Sequence, residues 1–268
     1  METHRIKRII IIVLALVNAV LLLMLASRQL QTRSQQKAEF SQLQALYERN
    51  GIALRIPALS RTELPVSSAV QGSEEAEDAF VAALLGEDLQ KERAGSSTSY
   101  AAPDGSSARL RRNGALEVHF SILRLSYDAA ASALQPFGYR LAPLADDTAS
   151  CTATQYIDGR AILDAALSLR FEGGLLASID GYYVNSVQGG QETLTLSDAD
   201  ALMRFLRYMQ AQGIVCSGVD HIEQAWLFSS STLFQSSLSP VLLIRADTSY
   251  YYVNPQTQEI VPLSELLP

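Results

Sequence analysis

The sequence predicts an α+β fold in which an N-terminal transmembrane helix precedes two units, each made of helices and an antiparallel meander sheet. Three observations predict this fold: an apolar stretch near the N-terminus, amphipathic segments that end at glycine, and runs of alternating polarity separated by turn residues. Hydrophobic residues make up 48% of the 268 residues and charged residues 18%, so the chain is able to bury a core.

The apolar stretch covers residues 9–26 and contains one polar side chain, that of Asn18. As a helix it would be about 27 Å long, close to the ~30 Å hydrocarbon core of a bilayer. Basic residues within residues 1–8 precede it, which predicts a cytoplasmic tail and an extracytoplasmic C-terminal part in a single-pass cell-membrane protein. The stretch exceeds the apolar region of a typical signal peptide, and Met24 is too large for the −3 position of a cleavage site, so we expect an uncleaved anchor.

Helical character is expected to continue beyond the anchor. Residues 27–50 are rich in glutamine, carry apolar side chains near one stripe and contain neither proline nor glycine. We therefore expect a juxtamembrane helix over 27–50 that stops at Gly51, where a left-handed backbone suits glycine best. Residues 60–72 include Pro65 and several small polar residues, which indicates a linker or loop.

The first α+β unit is expected over residues 51–145. Ser73 is the expected N-cap of a helix whose first turn is acidic. The pair Asn113-Gly114 lies between two strand-like runs and predicts a hairpin. A second helix is expected over 127–137, and a break rich in small and acidic residues sets the end of the unit.

The second α+β unit is expected over residues 146–268. Gly173-Gly174 forms the turn between two runs of alternating polarity, which predicts another hairpin. Ser197 is the expected cap of an amphipathic helix that ends at Gly213. The later segments expected to form antiparallel strands are 221–228, 240–246 and 249–254.

Charge and cysteine content exclude several classes of function. Without residues 1–26, the chain keeps 18 Lys and Arg against 27 Asp and Glu, a net charge of −9. This acidity argues against binding of nucleic acid and against adhesion to anionic lipid, so we expect a protein partner. Cys151 and Cys216 are too few for a disulfide framework, and they either pair with each other or serve as small buried hydrophobic residues.

No catalytic motif is recognisable in the sequence. His221 and Glu223 would share a strand face, but no further metal ligand stands at a useful spacing. A Ser-x-x-Lys match at residues 34–37 lacks the other elements of penicillin-binding enzymes. We therefore predict that the chain is not an enzyme and binds no cofactor or metal. Because carboxylates of glycosidases come together only in the fold, a wall-acting hydrolase stays open as an alternative.

Two features point to interaction with another protein. Asn18 in the middle of a spanning helix is costly when it faces lipid and is stabilised when its amide bonds another helix, although a single Asn is also tolerated in so apolar a helix. Tyr250, Tyr251 and Tyr252 offer an aromatic surface. On a strand, at least one of these three tyrosines must face the core and the other side could contact a partner.

Parts of the chain resemble the YycH/YycI-type regulatory proteins of Gram-positive bacteria, and the YycI type fits the length better. The C-terminal pattern is also similar to that of PepSY-like modules. The anchor stands in the expected order before these stretches. The stretches that carry the resemblance are residues 113–117 (Asn-Gly-Ala-Leu-Glu), 169–176 (Leu-Arg-Phe-Glu-Gly-Gly-Leu-Leu), 196–202 (Leu-Ser-Asp-Ala-Asp-Ala-Leu), 240–244 (Pro-Val-Leu-Leu-Ile) and 251–254 (Tyr-Tyr-Val-Asn).

The resemblance implies a function without catalysis. Such proteins are membrane-anchored accessories of a sensor histidine kinase in a two-component system that governs cell-wall metabolism. The resemblance implies that the transmembrane helix and the extracytoplasmic part contact the kinase. Our hypothesis is that residues 9–26, with Asn18, pack against helices of the kinase, while the extracytoplasmic part joins a second, YycH-like accessory protein. An anchored binding module for a peptide or wall fragment is the alternative of another class.

Overall fold

The computed structural model describes residues 18 and 24 and the ranges 37–70, 72–144, 149–185, 187–189, 192–230 and 236–263. The predicted tail, and all of the predicted anchor except Asn18 and Met24, lie outside the described residues. Within the described part of the chain, no helix is both long enough and apolar enough to cross a membrane.

The elements confirm the α+β class. The α-helices beyond residue 36 in the described residues are α1, described over 37–49, α2 (Glu74–Leu85), α3 (Tyr127–Leu134) and α4 (Asp198–Gln212). The strands are β1 (Ala53–Leu54), β2 (Arg61–Pro65), β3 (Ser68–Val70), β4 (Gln90–Ala94), β5 (Ser97–Ala101), β6 (Ser107–Arg111), β7 (Ala115–His119), β8 (Tyr139–Leu141), β9 (Ser150–Ile157), β10 (Arg160–Leu163), β11 (Leu167–Glu172), β12 (Leu175–Tyr182), β13 (Val187–Gly189), β14 (Thr193–Ser197), β15 (Gly218–Ser230), β16 (Ser236–Ala246), β17 (Ser249–Val253) and β18 (Ile260–Leu263).

Local sequence signals explain where several elements begin and end. The Ser197 hydroxyl accepts a hydrogen bond from the backbone N–H of Asp200 and caps α4, which ends at the left-handed Gly213. Gly114 turns the predicted hairpin between β6 and β7 at φ +86°, and a Cβ there would lie 2.7 Å from the carbonyl oxygen of Tyr183. Only glycine fits that approach.

One local prediction was wrong. Residues 60–72 were expected to form a linker, but they contain β2 and β3. β2 pairs with β14, and β3 pairs with β13 and β16. These partners are more than 100 residues away in the chain, so composition near Pro65 could not indicate the pairing.

Most strands join one large sheet in the order β13-β3-β16-β15-β10-β9-β11-β12-β7-β6-β5-β4. β17 and β18 extend it beside β16, β8 pairs with β9, and β1 pairs with β15. The pairs β1–β15 and β10–β15 are parallel, whereas the other described pairs are antiparallel. β10 therefore joins the part of the sheet that contains β15 and β16 to the part that begins at β9. Strands of the two predicted units pair directly, as β7 does with β12 and β8 with β9.

Among the described residues, two large hydrophobic cores lie against this sheet, beside a smaller cluster around Val241 and Leu243. Core A contains buried residues between 80 and 183, from α2, α3 and strands β5–β9, β11 and β12. Core B combines α1 and α4 with residues 52–64 and with the strands β15, β16 and β17. Residues on both sides of position 145 pack together in core A, and the division of the chain into domains at that position stays a prediction.

Candidate functional site

α1, which follows the apolar stretch in the sequence, is built into core B. Leu43 and Tyr47 of α1 are buried there, and the Tyr47 ring is fully buried. The Tyr47 hydroxyl donates a hydrogen bond to the carbonyl oxygen of Leu202 in α4 at 2.7 Å. Burial raises the pKa of this hydroxyl well above its usual range, so it remains a donor at physiological pH. α1 is thus held to α4 by packing and by a buried hydrogen bond.

The two helices run in the same direction. Near the first described residues of α1 and the N-terminal end of α4, Arg61 donates to Glu39 at 3.1 Å, and Ser60 donates two hydrogen bonds to Asp198. Near their C-terminal ends, Gln210 of α4 donates to Asn50 at 2.8 Å. Contacts at both ends therefore pair like ends of the helices.

A groove of about 450 Å³ lies between these two helices, and we call it the α1/α4 groove. Its floor and walls carry apolar and small side chains, and its rim carries charges. Leu46 and Met203 are only partly buried, and Ala45 is exposed. The lining residues are Glu39, Gln42, Leu43, Ala45, Leu46, Arg49, Ala199, Asp200 and Met203.

β17 places the three predicted tyrosines on two faces of the sheet. Tyr251 points into core B, where its ring centroid lies 5.0 Å from that of Phe205. Tyr250 and Tyr252 point to the opposite face and are partly buried beside Val241 and Leu243. Only Tyr250 and Tyr252 are therefore accessible to a partner, and partner binding by them stays a prediction.

The surroundings of these two tyrosines are mixed in polarity. The Arg245 guanidinium lies 5.9 Å from the centroid of the Tyr250 ring. Burial raises the pKa of the Tyr252 hydroxyl, and the carboxylates of Asp164 and Glu259 raise it further. This face of the sheet, which we call the tyrosine face, is an apolar patch with polar groups at its rim.

Asn18 is helical and exposed in the structure, and its contact with a partner helix stays a prediction.

The two cysteines are free. Cys151 is buried in core A, while Cys216 packs at the edge of core B, where its thiol lies 3.2 Å from the Gly218 carbonyl oxygen. The two cysteines are therefore not paired with each other in the structure: Cys151 is buried and Cys216 is partly buried.

The His221 ring nitrogen lies 3.2 Å from a carboxylate oxygen of Glu223. No group of three or more metal-binding side chains occurs in the described residues.

The sheet face opposite core A is polar across seven strands. One row of directly opposed residues crosses it from β4 to β9, with cross-strand neighbours paired at every step. At a strand spacing of about 4.8 Å the row is about 29 Å long. Its residues are Glu92, Ser99, Arg109, Glu117, Asp180, Ser168 and Thr152.

Part of this row lines a groove of about 690 Å³, which we call the polar groove. Glu117 accepts a hydrogen bond from Arg111 at 2.8 Å and stands directly opposite Asp180 on the next strand. His119 lies on the same face, opposite Ser178. Two adjacent carboxylates in a groove are the minimum that a hydrolase would need, so the prediction that this chain is not an enzyme stays a prediction.

No protein-family model matches this chain, and no curated protein matches it. Among solved structures, it is similar to the crystal structure of an uncharacterized protein from Eubacterium rectale, with 9% identity, a TM-score of 0.42 and coverage of 81% of this chain and 89% of that chain. It is also similar to the Bacillus megaterium YpeB C-terminal domain, with 12% identity, a TM-score of 0.31 and coverage of 73% of this chain and 99% of that chain. Neither similarity assigns a function to this chain.

The sequence did not reveal the two grooves. The stripe that includes Leu43, Leu46 and Tyr47 indicated that α1 has a buried face, but it did not indicate that α4 would cover it. The polar row could be read only once the strand order was known, because its members come from seven strands in mixed chain order. Alternation of polarity within β6, β7 and β11 was a local signal for it.

Proposed function

We propose that this protein is a membrane-anchored, extracytoplasmic accessory that modulates a sensor histidine kinase of a cell-wall two-component system. Residues 9–26 anchor it, the described domain lies outside the membrane, and both parts contact the kinase or a second, YycH-like accessory protein. The domain is of the PepSY-like type, and the protein is of the YycI type. The sequence resemblance supports these assignments.

One structural observation carries the proposal. The helix that follows the apolar stretch is part of core B and not a free spacer, because Tyr47 is fully buried and bonded to α4. If the helix predicted over 27–50 is continuous, a displacement of the anchor would be passed to α4 and to the sheet strands beneath it. A protein that only needed to be kept near the membrane would function equally well with a loose tether.

Such an accessory must distinguish two states of the kinase. A ligand that binds both states equally shifts no equilibrium, however tightly it binds. A continuous helix between anchor and domain would allow contacts made in the membrane and contacts made outside it to favour the same kinase state. This coupling is the physical reason for building α1 into the core.

The test measures the phosphorylated fraction of the response regulators of the host bacterium. Deletion of the gene should change that fraction for one regulator, and the full-length chain should restore it. Replacing residues 9–26 with an unrelated apolar anchor, or inserting a six-residue Gly-Ser linker after residue 36, should fail to restore it. A control insertion of the same linker at the exposed turn after Gly95 should restore it.

Three outcomes would contradict the proposal. Deletion could leave every regulator unchanged, the unrelated anchor could restore regulation in full, or the linker after residue 36 could do so. Membrane fractionation and limited proteolysis would verify that each variant is inserted and folded.

A second candidate function is favoured by the polar groove. Its hydroxyl, carboxylate, guanidinium and imidazole groups offer donors and acceptors over about 19 Å, which suits an extended polar ligand such as a peptide or wall fragment. Titration with soluble muropeptides tests it. Binding that is lost in Arg109→Ala but kept in Arg207→Ala, an exposed position of α4 that does not line the groove, would support this function. Absence of binding to the wild-type protein would exclude it for this probe.

A further inference from the structure

We infer that the α1/α4 groove binds an α-helix of a partner that leaves the same membrane and runs parallel to α1. This inference rests on the proposed function and specifies where and in which direction the partner binds. Shape, charge and chain direction lead to it separately.

The shape of the groove suits a helix. Two helices packed side by side leave a furrow between them, and a third helix buries an apolar stripe in such a furrow at interaxial distances of about 8–10 Å. Ala45 and Ala199 are small, so a helix can approach closely, while Leu46 and Met203 supply apolar contact area. All four side chains line the groove along one side of the α1/α4 pair.

The charges at the rim give the bound helix a direction. Asp200 lies at the N-terminal end of the groove together with Glu39, whose carboxylate also accepts a hydrogen bond from Arg61, and Arg49 lies at the C-terminal end. A helix carries partial positive charge at its N-terminus and partial negative charge at its C-terminus. A helix parallel to α1 therefore places each of its ends beside the opposite charge, whereas an antiparallel helix would place like charges together.

The direction of the chain agrees with the direction given by charge. The apolar stretch precedes α1, so under the proposed function α1 leads away from the membrane. A partner helix that continues from its own transmembrane segment on the same side of the bilayer also leads away from the membrane. Such a helix reaches the groove in the parallel direction without a turn in its chain. For a partner without a membrane anchor, nothing would favour this direction on the ground of chain path.

Filling the groove gives the first test. Ala45→Trp places a large side chain on an exposed position of α1, so folding should be unaffected, while the partner helix is displaced. The matched control is Ala83→Trp, which changes an exposed alanine of α2 far from the groove in the sequence. In the full-length chain in host membranes, regulation should fall at least tenfold for Ala45→Trp and stay at the wild-type level for the control.

Photo-cross-linking gives the direction. A benzoylphenylalanine residue replaces Gln42 in one variant of the full-length chain and Arg49 in a second, and the cross-linked peptides are identified by mass spectrometry. We expect both to lie C-terminal to a transmembrane segment of one membrane protein, with the Gln42 contact about seven residues nearer to that segment than the Arg49 contact. Ala45→Trp should reduce both yields at least tenfold.

Four cross-linking results would overturn the inference: the reverse order of contacts, cross-links to a second copy of this chain, cross-links to a soluble protein, or yields no higher than that of benzoylphenylalanine at Ala83. Failure of the groove and failure of the proposed function are distinguishable. If Ala45→Trp preserves regulation while deletion abolishes it, the groove assignment fails and the proposed function stands. If deletion changes no response regulator, the proposed function fails.

Discussion

Core A and core B differ in how much of the chain they require. Every buried residue of core A lies between positions 80 and 183, so one continuous segment supplies it. Core B needs α1 and residues 52–64 together with strands and a helix from the C-terminal half. Core A can therefore close from local contacts, whereas core B is complete only when the segment next to the apolar stretch is docked. Core B, and not core A, therefore contains the segment through which the apolar stretch could act on the domain.

Aromatic packing sharpens the contrast. Phe80 stacks on Tyr183 with ring centroids 4.1 Å apart, and the Phe137 ring meets Phe80 edge-on at 4.9 Å. These contacts join α2 to the end of the segment that forms core A. In core B the corresponding join is made by Tyr47, through burial and one hydrogen bond. Changes at Phe80 and Tyr47 should therefore separate the two cores experimentally.

The largest effect is expected for Tyr47→Ala. Loss of a fully buried aromatic side chain costs about 3–5 kcal/mol of unfolding free energy. Hydrogen exchange monitored by mass spectrometry should show lost protection in α1, α4 and β15–β17, while β5–β7 stay protected. The corresponding variant of core A, Phe80→Ala, should lose protection from exchange in core A and keep it in core B. Equal loss of protection in both cores for either variant would mean that the two cores unfold as one unit.

A smaller effect is expected where the cores meet. The turn between β6 and β7 touches the end of the β15–β16 hairpin, because Ser236 donates a hydrogen bond to the carbonyl oxygen of Asn113 at 2.8 Å. Gly114→Ala should cost about 2 kcal/mol or more in urea unfolding, since its φ is +86° and its Cβ would meet a backbone oxygen. Gly173→Ala, at φ +59° in open space, is the control and should cost clearly less.

Removal of the buried hydroxyl alone should have a modest effect. Tyr47→Phe keeps the ring but loses the hydrogen bond to Leu202, which should cost about 1 kcal/mol in the same urea assay. Exchange should quicken in α1 and α4 without change in core A. A loss as large as that of Tyr47→Ala would mean that the hydroxyl, and not the packing of the ring, holds α1.

The smallest effect is a pH dependence. Burial raises the pKa of Asp198 above its usual value of 3.8, although hydrogen bonds from Ser60 act in the opposite direction. Folding thus favours the protonated carboxyl, so its stabilising contribution is present below the unfolded pKa and is lost as pH rises through the folded pKa. The unfolding free energy of wild type minus that of Asp198→Asn should fall as pH rises from 4 to 7. A rise of this difference over the same range would mean that folding lowers the pKa of Asp198, which would contradict the prediction.

Short-range chemistry made much of the fold predictable. Asn113-Gly114, Gly173-Gly174 and the cap at Ser197 each act within a few residues, so the hairpins and α4 could be anticipated from the sequence. Pairing of β2 with β14, and of β10 with β15, depends on residues far apart in the chain, and no local pattern encodes it.

The candidate sites were less predictable for the same reason. The sequence indicated that the tyrosines of β17 would divide between two faces, and the structure has Tyr251 inside. It could not indicate that Leu46 and Met203 share a groove, because they are more than 150 residues apart and meet only through the packing of α1 on α4.

The central claim is that α1 is a structural part of the domain it leads into. Hydrogen exchange of the full-length protein in lipid nanodiscs tests this claim most directly. Backbone amides of residues 43–49 should exchange as slowly as those of α4 in the same protein. Exchange of residues 43–49 at the rate of an unstructured peptide, while α4 stays protected, would contradict the account.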